Sequence, residues 1–404
     1  MQNQPEPATL LIADISGYTS YLAGVELDHA QDILADLIGA VVTALRPSFR
    51  LAKLEGDAAF TFMTTEKVDG SMLLDTIERC YFGFRRRRRD VRQATACECN
   101  ACVRIPDLNL KFVVHHGSAI LQKVAGRQEL LGSDVIVVHR LLKNEVVETL
   151  GMNAYALITQ RCIDATDLDP SALGMRAITE TYDRIGDVPA WAHDLERRWQ
   201  EEETRKRVRV SAEDAVIDVS VPTGAPPQVV WEYLTTPGRR KGWQAGLTDF
   251  EITDATGGRR GPGATNHCVH GREAILEEIL DWRPYDYVTD RSTVVTPAGP
   301  LRALHTMELE PTAAGTTVHF RLGEPTTKRE KAIMREAGSV FEGIFRTSQA
   351  TLLEKLDGEL AARADRDLES EPELPTARPD GVLAGVQPLR IVPWDTSADG
   401  DASA

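Results

Sequence analysis

Two short runs near the start of the chain each end a predicted strand on an aspartate. LLIAD closes on Asp14, and a turn at Gly56 and Asp57 joins two further predicted strands, FRLAKLE and AAFTFM. A single aspartate after a strand is usually a helix cap or a turn residue. Two of them, each with a glycine nearby and with Lys53 four residues before the second, form a more specific set. Such paired carboxylates suit hard divalent cations, and glycine lets a phosphate group approach the backbone.

The first part of the chain alternates strands and helices in an order that predicts an α+β fold. Apolar stripes at helical spacing indicate helices at 30–46 and 71–90. Strands are expected at 9–13, in a hairpin at 49–63, at 109–117 and at 153–159, with a further helix at 132–147. This order predicts a ferredoxin-like sandwich with helices on one face of its sheet.

The second part of the chain has a different pattern. From residue 212, seven alternating segments separated by turn residues predict an antiparallel sheet, and a helical pattern at 326–362 follows them. A curved sheet that grips one long helix explains this layout. We therefore assign an α+β sandwich to residues 6–185, a charged helical linker to 186–211, a domain of one sheet and one long helix to 212–363 and a disordered tail to 364–404.

Composition restricts the class of partner. A formal net charge of −15 argues against nucleic acid, because phosphate binding requires a cationic surface. Arg85–Arg89 is an exception that we interpret as a solvated helix end, with a docking site for an acidic partner as the alternative. The sequence has no signal peptide pattern and no apolar run of membrane-spanning length. Six cysteines in so long a chain do not resemble a disulfide framework, which favours the cytoplasm.

Residues 6–185 resemble the catalytic domain of class III nucleotidyl cyclases. ADISGYT is similar to the first metal-binding motif of that family, and KLEGD fits its Lys-x-x-Gly-Asp pattern. LLGSDVIVVHRLL resembles the later segment in which a glycine precedes a helix with an active-site arginine. HHG and HRLLKN are similar to a less studied bacterial subgroup. The likeness covers less than half of the chain and implies the ferredoxin-like fold.

The resemblance also implies a two-metal phosphoryl transfer. Asp14 and Asp57 would each bind Mg²⁺ or Mn²⁺, two ions per site, so that the ribose 3′-hydroxyl attacks the α-phosphate. Backbone N–H groups from Ile15 to Gly17 would face the phosphates. Since such sites form between two cyclase domains, a single copy implies a homodimer.

The same resemblance assigns roles to three further side chains. Lys53 matches the position that reads the purine, where a lysine is typical of adenylyl cyclases and favours ATP. Glu129 stands where an aspartate of the family assists this lysine, and it is one methylene longer. Arg140 matches the arginine that steadies the pentavalent phosphate.

One position departs from the family in a way that affects turnover. The asparagine that orients the ribose aligns with Ile136, which has no hydrogen-bonding group. Losing one such contact typically costs about 10²- to 10³-fold in rate. His139 is either a partial substitute or a packing residue. Two hypotheses follow: a slow metal-dependent adenylate cyclase that makes cyclic AMP, and an inactive cyclase-homology module that binds nucleotide or scaffolds a signalling dimer.

A cysteine cluster precedes the third predicted strand region. Cys97, Cys99 and Cys102 have a C-x-C-x-x-C spacing that can place three thiolates around one Zn²⁺. The fourth ligand would be Cys80, His115, His116 or water. A redox-active pair and an incidental loop are the alternatives. Taken singly, Cys80, Cys162 and Cys268 are interpreted as small buried apolar residues.

The segment that begins PPQVVWEYLTTPGRRKGW resembles the opening of START-like helix-grip domains, which include polyketide cyclase-like proteins. Val230, Trp231, Leu234, Pro237 and Trp243 carry the likeness. It implies an apolar cavity between sheet and helix that holds a lipid, sterol or aromatic metabolite. Tyr285, Tyr287, Phe320, Phe341 and Phe345 are the aromatic residues expected to line it or to form ordinary core. Since no acid–base pair stands out, ligand binding is favoured over chemistry, and the ligand would regulate pairing of the cyclase domains.

Overall fold

A computed structural model describes residues 4–25, 27–46, 48–94, 99–124, 127–253, 255–270 and 273–367. The chain divides into two compact units. The first holds the residues up to Arg205 together with Gly257–Arg259, and the second holds Lys206–Thr256 and Arg260–Asp367. The long C-terminal helix ends at Asp367, so residues 364–367 of the tail predicted to be disordered are helical. The rest of that tail lies outside the described residues.

The strands and helices of the first unit follow the predicted order. The strands are β1 Glu6–Ser16, β2 Arg50–Glu55, β3 Ala58–Thr64, β4 Asn109–Val124, β5 Arg127–Leu131, β6 Tyr155–Thr159, β7 Arg176–Tyr182 and β8 Gly186–Asp194. The helices are α1 Tyr18–Leu22, α2 Leu27–Leu45, α3 Gly70–Ala94, α4 Asn100–Val103, α5 Ser133–Arg140, α6 Val146–Leu150, α7 Gln160–Asp164 and α8 Leu195–Thr204.

These strands form one sheet in the order β2-β3-β1-β4-β6-β8-β7, and β5 pairs with β4. β1 lies in the middle between β3 and β4 and is antiparallel to both. Its alternate residues belong to two apolar cores: Leu11 and Ala13 pack with α2 and α3, while Leu10 and Ile12 pack on the side of Val138 of α5. A strand buried on both faces explains the nearly continuous apolar run. The prediction that helices cover one face is therefore wrong, because α5 and α6 cover part of the other.

Two local predictions for the first unit differ from the structure. Residues 186–194, assigned to a charged linker, form strand β8, which pairs with β6 and β7. The helix predicted at 132–147 is divided into α5 and α6. Charge density led the sequence interpretation to a linker, but alternate apolar residues of β8, such as Val188, Ala190 and Ala192, are buried in the sheet.

The arginine run does not form a solvated helix end. α3 continues past it to Ala94, and its arginines contact neighbouring elements. Arg87 makes two hydrogen bonds of 2.6 Å with Asp36 of α2, and Arg85 pairs with Glu196 of α8. Arg86 lies over the ring of Trp199 at 5.3 Å. These contacts connect α3 to α2 and α8, so the run is part of the packing of the unit.

The second unit has the predicted helix-grip architecture. Its strands are β9 Ala215–Thr223, β10 Leu247–Thr253, β11 Thr265–His270, β12 Glu273–Arg283, β13 Tyr287–Thr296, β14 Gly299–Thr312 and β15 Gly315–Gly323. Its helices are α9 Pro227–Thr235, α10 Pro237–Arg240 and α11 Lys328–Asp367. The strands form an antiparallel sheet in the order β10-β11-β12-β13-β14-β15-β9.

Helix α11 packs on one face of this sheet. Ile333 and Met334 are buried against Ile217, Val219 and Leu322. Gln349, which is also buried, donates from Nε2 to the backbone carbonyls of Val219 and Val318, at 2.8 and 3.2 Å. Apolar packing near the start of α11 and the hydrogen bonds of Gln349 further along thus hold the helix against β9 and β15. Among the helices of the described residues, none is long and apolar enough to cross a bilayer.

Candidate functional site

Asp14 and Asp57, the residues predicted to bind metal, lie next to one another. In the antiparallel pairing of β1 with β3, Asp14 is opposite Ala58, the residue that follows Asp57. The backbone N–H of Ile15 donates to the backbone carbonyl of Asp57 at 3.2 Å. Gly56 adopts a left-handed φ of 70° in the turn, which brings the second aspartate back beside the first.

The proximity of the two carboxyl groups has an electrostatic consequence. Partial burial, the charge of Asp14 and a hydrogen bond with its side chain raise the pKa of Asp57 to about 6. Two neighbouring carboxylates repel one another when both are ionised, so Asp57 holds its proton up to about pH 6. A divalent cation relieves that repulsion, so the donor set fits Mg²⁺ or Mn²⁺. Within the described residues no group of three or more metal-ligating side chains is found, so substrate or backbone oxygens would have to complete the coordination.

Lys111 is a member of this site that the sequence reasoning missed. It lies directly opposite Asp14 in the pairing of β1 with β4. Its Nζ is 3.1 Å from Asp14 Oδ2, and it also donates to the backbone carbonyl of Leu142 at 3.2 Å. The lysine charge lowers the pKa of Asp57, against the larger effects of burial and Asp14. Only the register between strands far apart in sequence reveals this contact.

The backbone that follows Asp14 continues strand β1 to Ser16 and then turns at Gly17. The backbone N–H of Ile15, which was predicted to face the phosphates, is already bonded to the carbonyl of Asp57. Ile15 is buried, and Gly17 has a left-handed φ of 86°. A Cβ at Gly17 would lie 2.9 Å from the backbone carbonyl oxygen of Asp107. Glycine is therefore required by the fold itself, whatever ligand approaches the loop.

Lys53 lies in a small polar cluster on the neighbouring strand. Its Nζ is 2.7 Å from Glu55 Oε1, and this hydrogen bond, with the nearby charges of Glu55 and Glu129, raises the pKa of Lys53. His139 of α5 bonds to the same Glu55 through Nε2 at 3.1 Å. The structure thus brings the predicted pair Lys53 and Glu129 together and adds Glu55 to it. His139 is neither free nor a packing residue alone, since its ring also lies edge-on to Phe60 at 4.8 Å.

Arg140 and Ile136 lie on one helix and both are exposed. The side chain of Arg140 makes no hydrogen bond or ion pair with the described residues. Ile136, one turn earlier, is 57% exposed, which is unusual for a large apolar side chain. An arginine and an isoleucine presented to solvent on the same helix are available to a second molecule.

The predicted zinc site lies partly outside the described residues. Cys97 lies outside them, while Cys99 precedes α4 and Cys102 is buried within it. Two of the proposed fourth ligands are occupied elsewhere: His115 bonds to Asp134 and Thr159, and His116 bonds to Thr9. Cys80 is buried in the apolar core, where burial raises the pKa of its thiol. Cys162 and Cys268 are buried, as predicted.

The interior of the second unit is more polar than the resemblance implied. Phe320, Phe341 and Phe345 lie between the sheet and α11, whereas Tyr287 donates its hydroxyl to Asp281 at 2.6 Å and Tyr285 packs edge-on against Trp231. A cavity of about 10 Å³ is lined by Arg240, Asn266 and Asp290 among other residues. It has room for a single water molecule.

Buried ionisable groups lie across the strands of this interior. Arg240 makes two hydrogen bonds of 2.8 and 2.7 Å to Glu277, and Asn266 donates to the same carboxylate at 3.0 Å. Burial by itself would raise the pKa of Glu277, but the Arg240 guanidinium and Asn266 hold it below its usual value. Asp290 and His305 form a second pair, at 3.2 Å. The sequence interpretation, which found no acid–base pair here, is corrected by this contact.

Comparisons with known families match both parts of the chain. Residues 34–149 match a family described as a protein of unknown function, DUF2652. Residues 214–356 match the family described as polyketide cyclase / dehydrase and lipid transport, which confirms the START-like assignment of the second unit.

Solved structures similar to part of the chain include two cyclases. The guanylyl cyclase Cya2 is 13% identical, with 48% of this chain and 93% of that one covered and a TM-score of 0.36. The adenylyl cyclase CyaB from P. aeruginosa is also 13% identical, with 48% and 97% covered and a TM-score of 0.34.

A curated relative is more similar in sequence. It is the uncharacterized protein Rv2561/Rv2562 of Mycobacterium tuberculosis, which is 35% identical over 163 residues, 40% of this chain and 73% of the relative. By this identity and coverage, the chain belongs to the same protein family as Rv2561/Rv2562.

Proposed function

We propose that the first unit binds a nucleoside triphosphate with divalent cations and converts it slowly to a cyclic nucleotide, with ATP as the favoured substrate. The observation that carries the proposal is the pairing of Asp14 and Asp57 at adjacent strand ends, which raises the pKa of Asp57 to about 6. The site holds excess negative charge that a divalent cation would neutralise.

The other residues have supporting roles in this proposal. Bound Mg²⁺ or Mn²⁺ would supply charge neutralisation at the triphosphate and a more acidic 3′-hydroxyl. Asp14 and Asp57 hold the cations, and the turn at Gly17 faces the phosphates, since the backbone N–H of Ile15 already donates to Asp57. Lys53, held by Glu55 and near Glu129, reads the purine edge. Arg140 stabilises negative charge on the transferred phosphate.

The solvent exposure of Arg140 supports a site completed by a second copy of the chain. An arginine that has no partner among the described residues is available to a site on another protomer. We therefore include a homodimer in the proposal, as well as a cytoplasmic location where triphosphates and Mg²⁺ are abundant. A structural zinc at the cysteine cluster is a separate proposal that metal analysis of the purified protein tests.

One assay tests the catalytic proposal. Purified full-length protein with Mn²⁺ and ATP should release cyclic AMP, and Asp57→Asn should abolish the release. Asp183→Asn is the matched control, since Asp183 is 99% exposed in a turn. Equal product from the parent and Asp57→Asn, or no product from the parent, contradicts the proposal. GTP in place of ATP tests the base preference.

Nucleotide binding without turnover is the second candidate. Ile136 favours it, because the helix position expected to contact the ribose has no hydrogen-bonding group. This candidate expects saturable ATP binding with no cyclic product. Any product that depends on Asp57 counts against it.

For the second unit we propose binding of a small, largely apolar molecule between the sheet and α11. The match to a family described by polyketide cyclases and lipid transport supports this role. Because the cavity beside Asp290 holds only about 10 Å³, a ligand must displace side chains, and Phe341 and Phe345 are only partly buried on the helix face. Thermal shift of the full-length protein with apolar ligands tests it, and no shift with any of them contradicts it.

A further inference from the structure

The inner face of the second sheet carries a histidine that is positioned by an aspartate. Asp290 of β13 and His305 of β14 are direct cross-strand partners. Both are buried, with exposed fractions of 1% and 7%. Asp290 accepts hydrogen bonds from Ser292 Oγ at 2.5 Å and from His305 Nδ1 at 3.2 Å. The aspartate is itself held by the serine, so the imidazole orientation is fixed.

This arrangement determines which ring nitrogen of His305 is available. Since Nδ1 faces a carboxylate, the proton of the neutral ring lies on Nδ1 and Nε2 carries a lone pair. His305 Nε2 is buried and has no hydrogen-bonding partner among the residues that the structure describes. A buried acceptor without a partner is unfavourable, and a ligand that donates a hydrogen to it recovers that loss.

Aromatic rings surround the imidazole. Phe345 of α11 stacks on it at 5.1 Å with an interplanar angle of 29°, and Phe320 of β15 lies edge-on at 6.0 Å. Phe320 in turn packs against Trp243 at 5.7 Å. The imidazole of His305 thus lies among apolar aromatic rings. Such a site suits a flat ring that presents one hydrogen-bond donor.

The other buried polar pair, Glu277 and Arg240, is not an equivalent ligand contact. Both carboxylate oxygens of Glu277 already accept hydrogen bonds from Arg240, and Asn266 donates to one of them. Those groups satisfy each other. By contrast, the pair of Asp290 and His305 leaves one buried atom, His305 Nε2, without a hydrogen-bonding partner among the residues that the structure describes.

We propose that His305 Nε2 is the polar contact of the second unit's binding site, and that its ligand is a planar aromatic molecule with a hydroxyl group that donates to this nitrogen. The inference rests on the ligand-binding role proposed above for this unit. It adds a specific requirement: the oxygen of the ligand must carry a hydrogen that it can donate to His305 Nε2.

A pair of probes isolates that requirement. 2-Naphthol and 2-methoxynaphthalene share the planar ring system and differ in the hydroxyl hydrogen. Calorimetric titration of the full-length protein should give at least tenfold tighter binding of 2-naphthol. In His305→Phe this preference should fall to less than threefold. The matched control is His267→Phe, because His267 is exposed on β11 and should leave the preference unchanged.

The outcomes separate the two proposals. Equal binding of both probes to the parent protein overturns the role of His305 while leaving apolar binding in place, and this comparison needs no variant to fold. A preference that persists in His305→Phe also overturns it. Binding of neither probe at millimolar concentration contradicts both the His305 contact and the planar aromatic ligand.

Discussion

The carboxyl group of Asp57 lies beside that of Asp14, although 42 residues separate them in the sequence, and the pair shares a proton up to about pH 6. The turn at Gly56 and the pairing of β1 with β3 place the two groups together. Either aspartate by itself would be an ordinary cap or turn residue. The repulsion between the carboxylates is what makes the location suitable for a cation.

Replacing one member of this pair should stabilise the metal-free protein. The folded state raises the pKa of Asp57 from 3.8 to about 6, so the aspartate favours folding fully below about pH 4 and loses that contribution as pH rises through 6. A tenfold change in proton affinity corresponds to about 1.4 kcal/mol. Because Asp57 is partly exposed, solvent screening reduces its contribution to the free energy of unfolding to about 1 kcal/mol. Asp57→Asn should therefore unfold at a higher temperature than the parent at pH 8, with little difference at pH 4.

Thermal melts in buffer free of divalent ions test this expectation. Asp183→Asn, at a fully exposed turn, should match the parent at both pH values. Added Mn²⁺ should raise the melting temperature of the parent and not that of Asp57→Asn. A variant that is less stable than the parent at pH 8 would show that the two carboxylates do not repel.

Lys111 competes with a divalent cation for Asp14. Removing one positive charge about 3 Å from a carboxylate increases the attraction for a cation by roughly 1 to 2 kcal/mol when the charges are screened as in water, and by more when they are screened less. Lys111→Met should therefore bind Mn²⁺ about tenfold more tightly at pH 8, as measured by titration calorimetry without nucleotide. Lys143→Met, which removes an exposed lysine without an ion pair among the described residues, should bind as the parent does. Unchanged affinity in Lys111→Met would mean that Mn²⁺ binds elsewhere.

Ile136→Asn should increase turnover. The substitution supplies the hydrogen-bonding group expected at the ribose, a contact worth about 10²- to 10³-fold in rate. Because Ile136 is 57% exposed, the change should leave stability within about 0.5 kcal/mol. The assay is cyclic AMP release with Mn²⁺ and ATP. Val147→Asn makes the same kind of exchange, from an exposed aliphatic residue on a helix to asparagine, and should give no gain in turnover. If Ile136→Asn gives none either, α5 does not contact the ribose.

Breaking the buried ion pair of the second unit should be costly. Glu277 and Arg240 are each about 3% exposed, and loss of one partner leaves an uncompensated buried charge. Glu277→Gln should lower the free energy of unfolding by about 3 kcal/mol. The control is the adjacent Glu278→Gln, whose partner Arg291 and own side chain are nearly half exposed, with an expected loss below about 0.5 kcal/mol. Equal losses in urea unfolding would indicate that water reaches Glu277.

Most secondary structure was predictable, and the exceptions have identifiable causes. The seven strands and the long helix of the second unit follow from alternation and helical spacing, because each buries one face. Strand β8 was mistaken for the start of a linker, since a charged helix follows it directly. The arginine run was interpreted as solvated because a one-dimensional pattern does not show Asp36 or Glu196 on neighbouring helices.

The sequence by itself determined the two aspartates near predicted strand ends, the glycines at their turns and the periodicities of both units, because these depend on residues close together in the chain. Only the tertiary structure decided that Lys111 faces Asp14 and that His305 faces Asp290. Both contacts depend on strand register, which is set by the burial of whole sheet faces and brings together side chains that no local pattern connects.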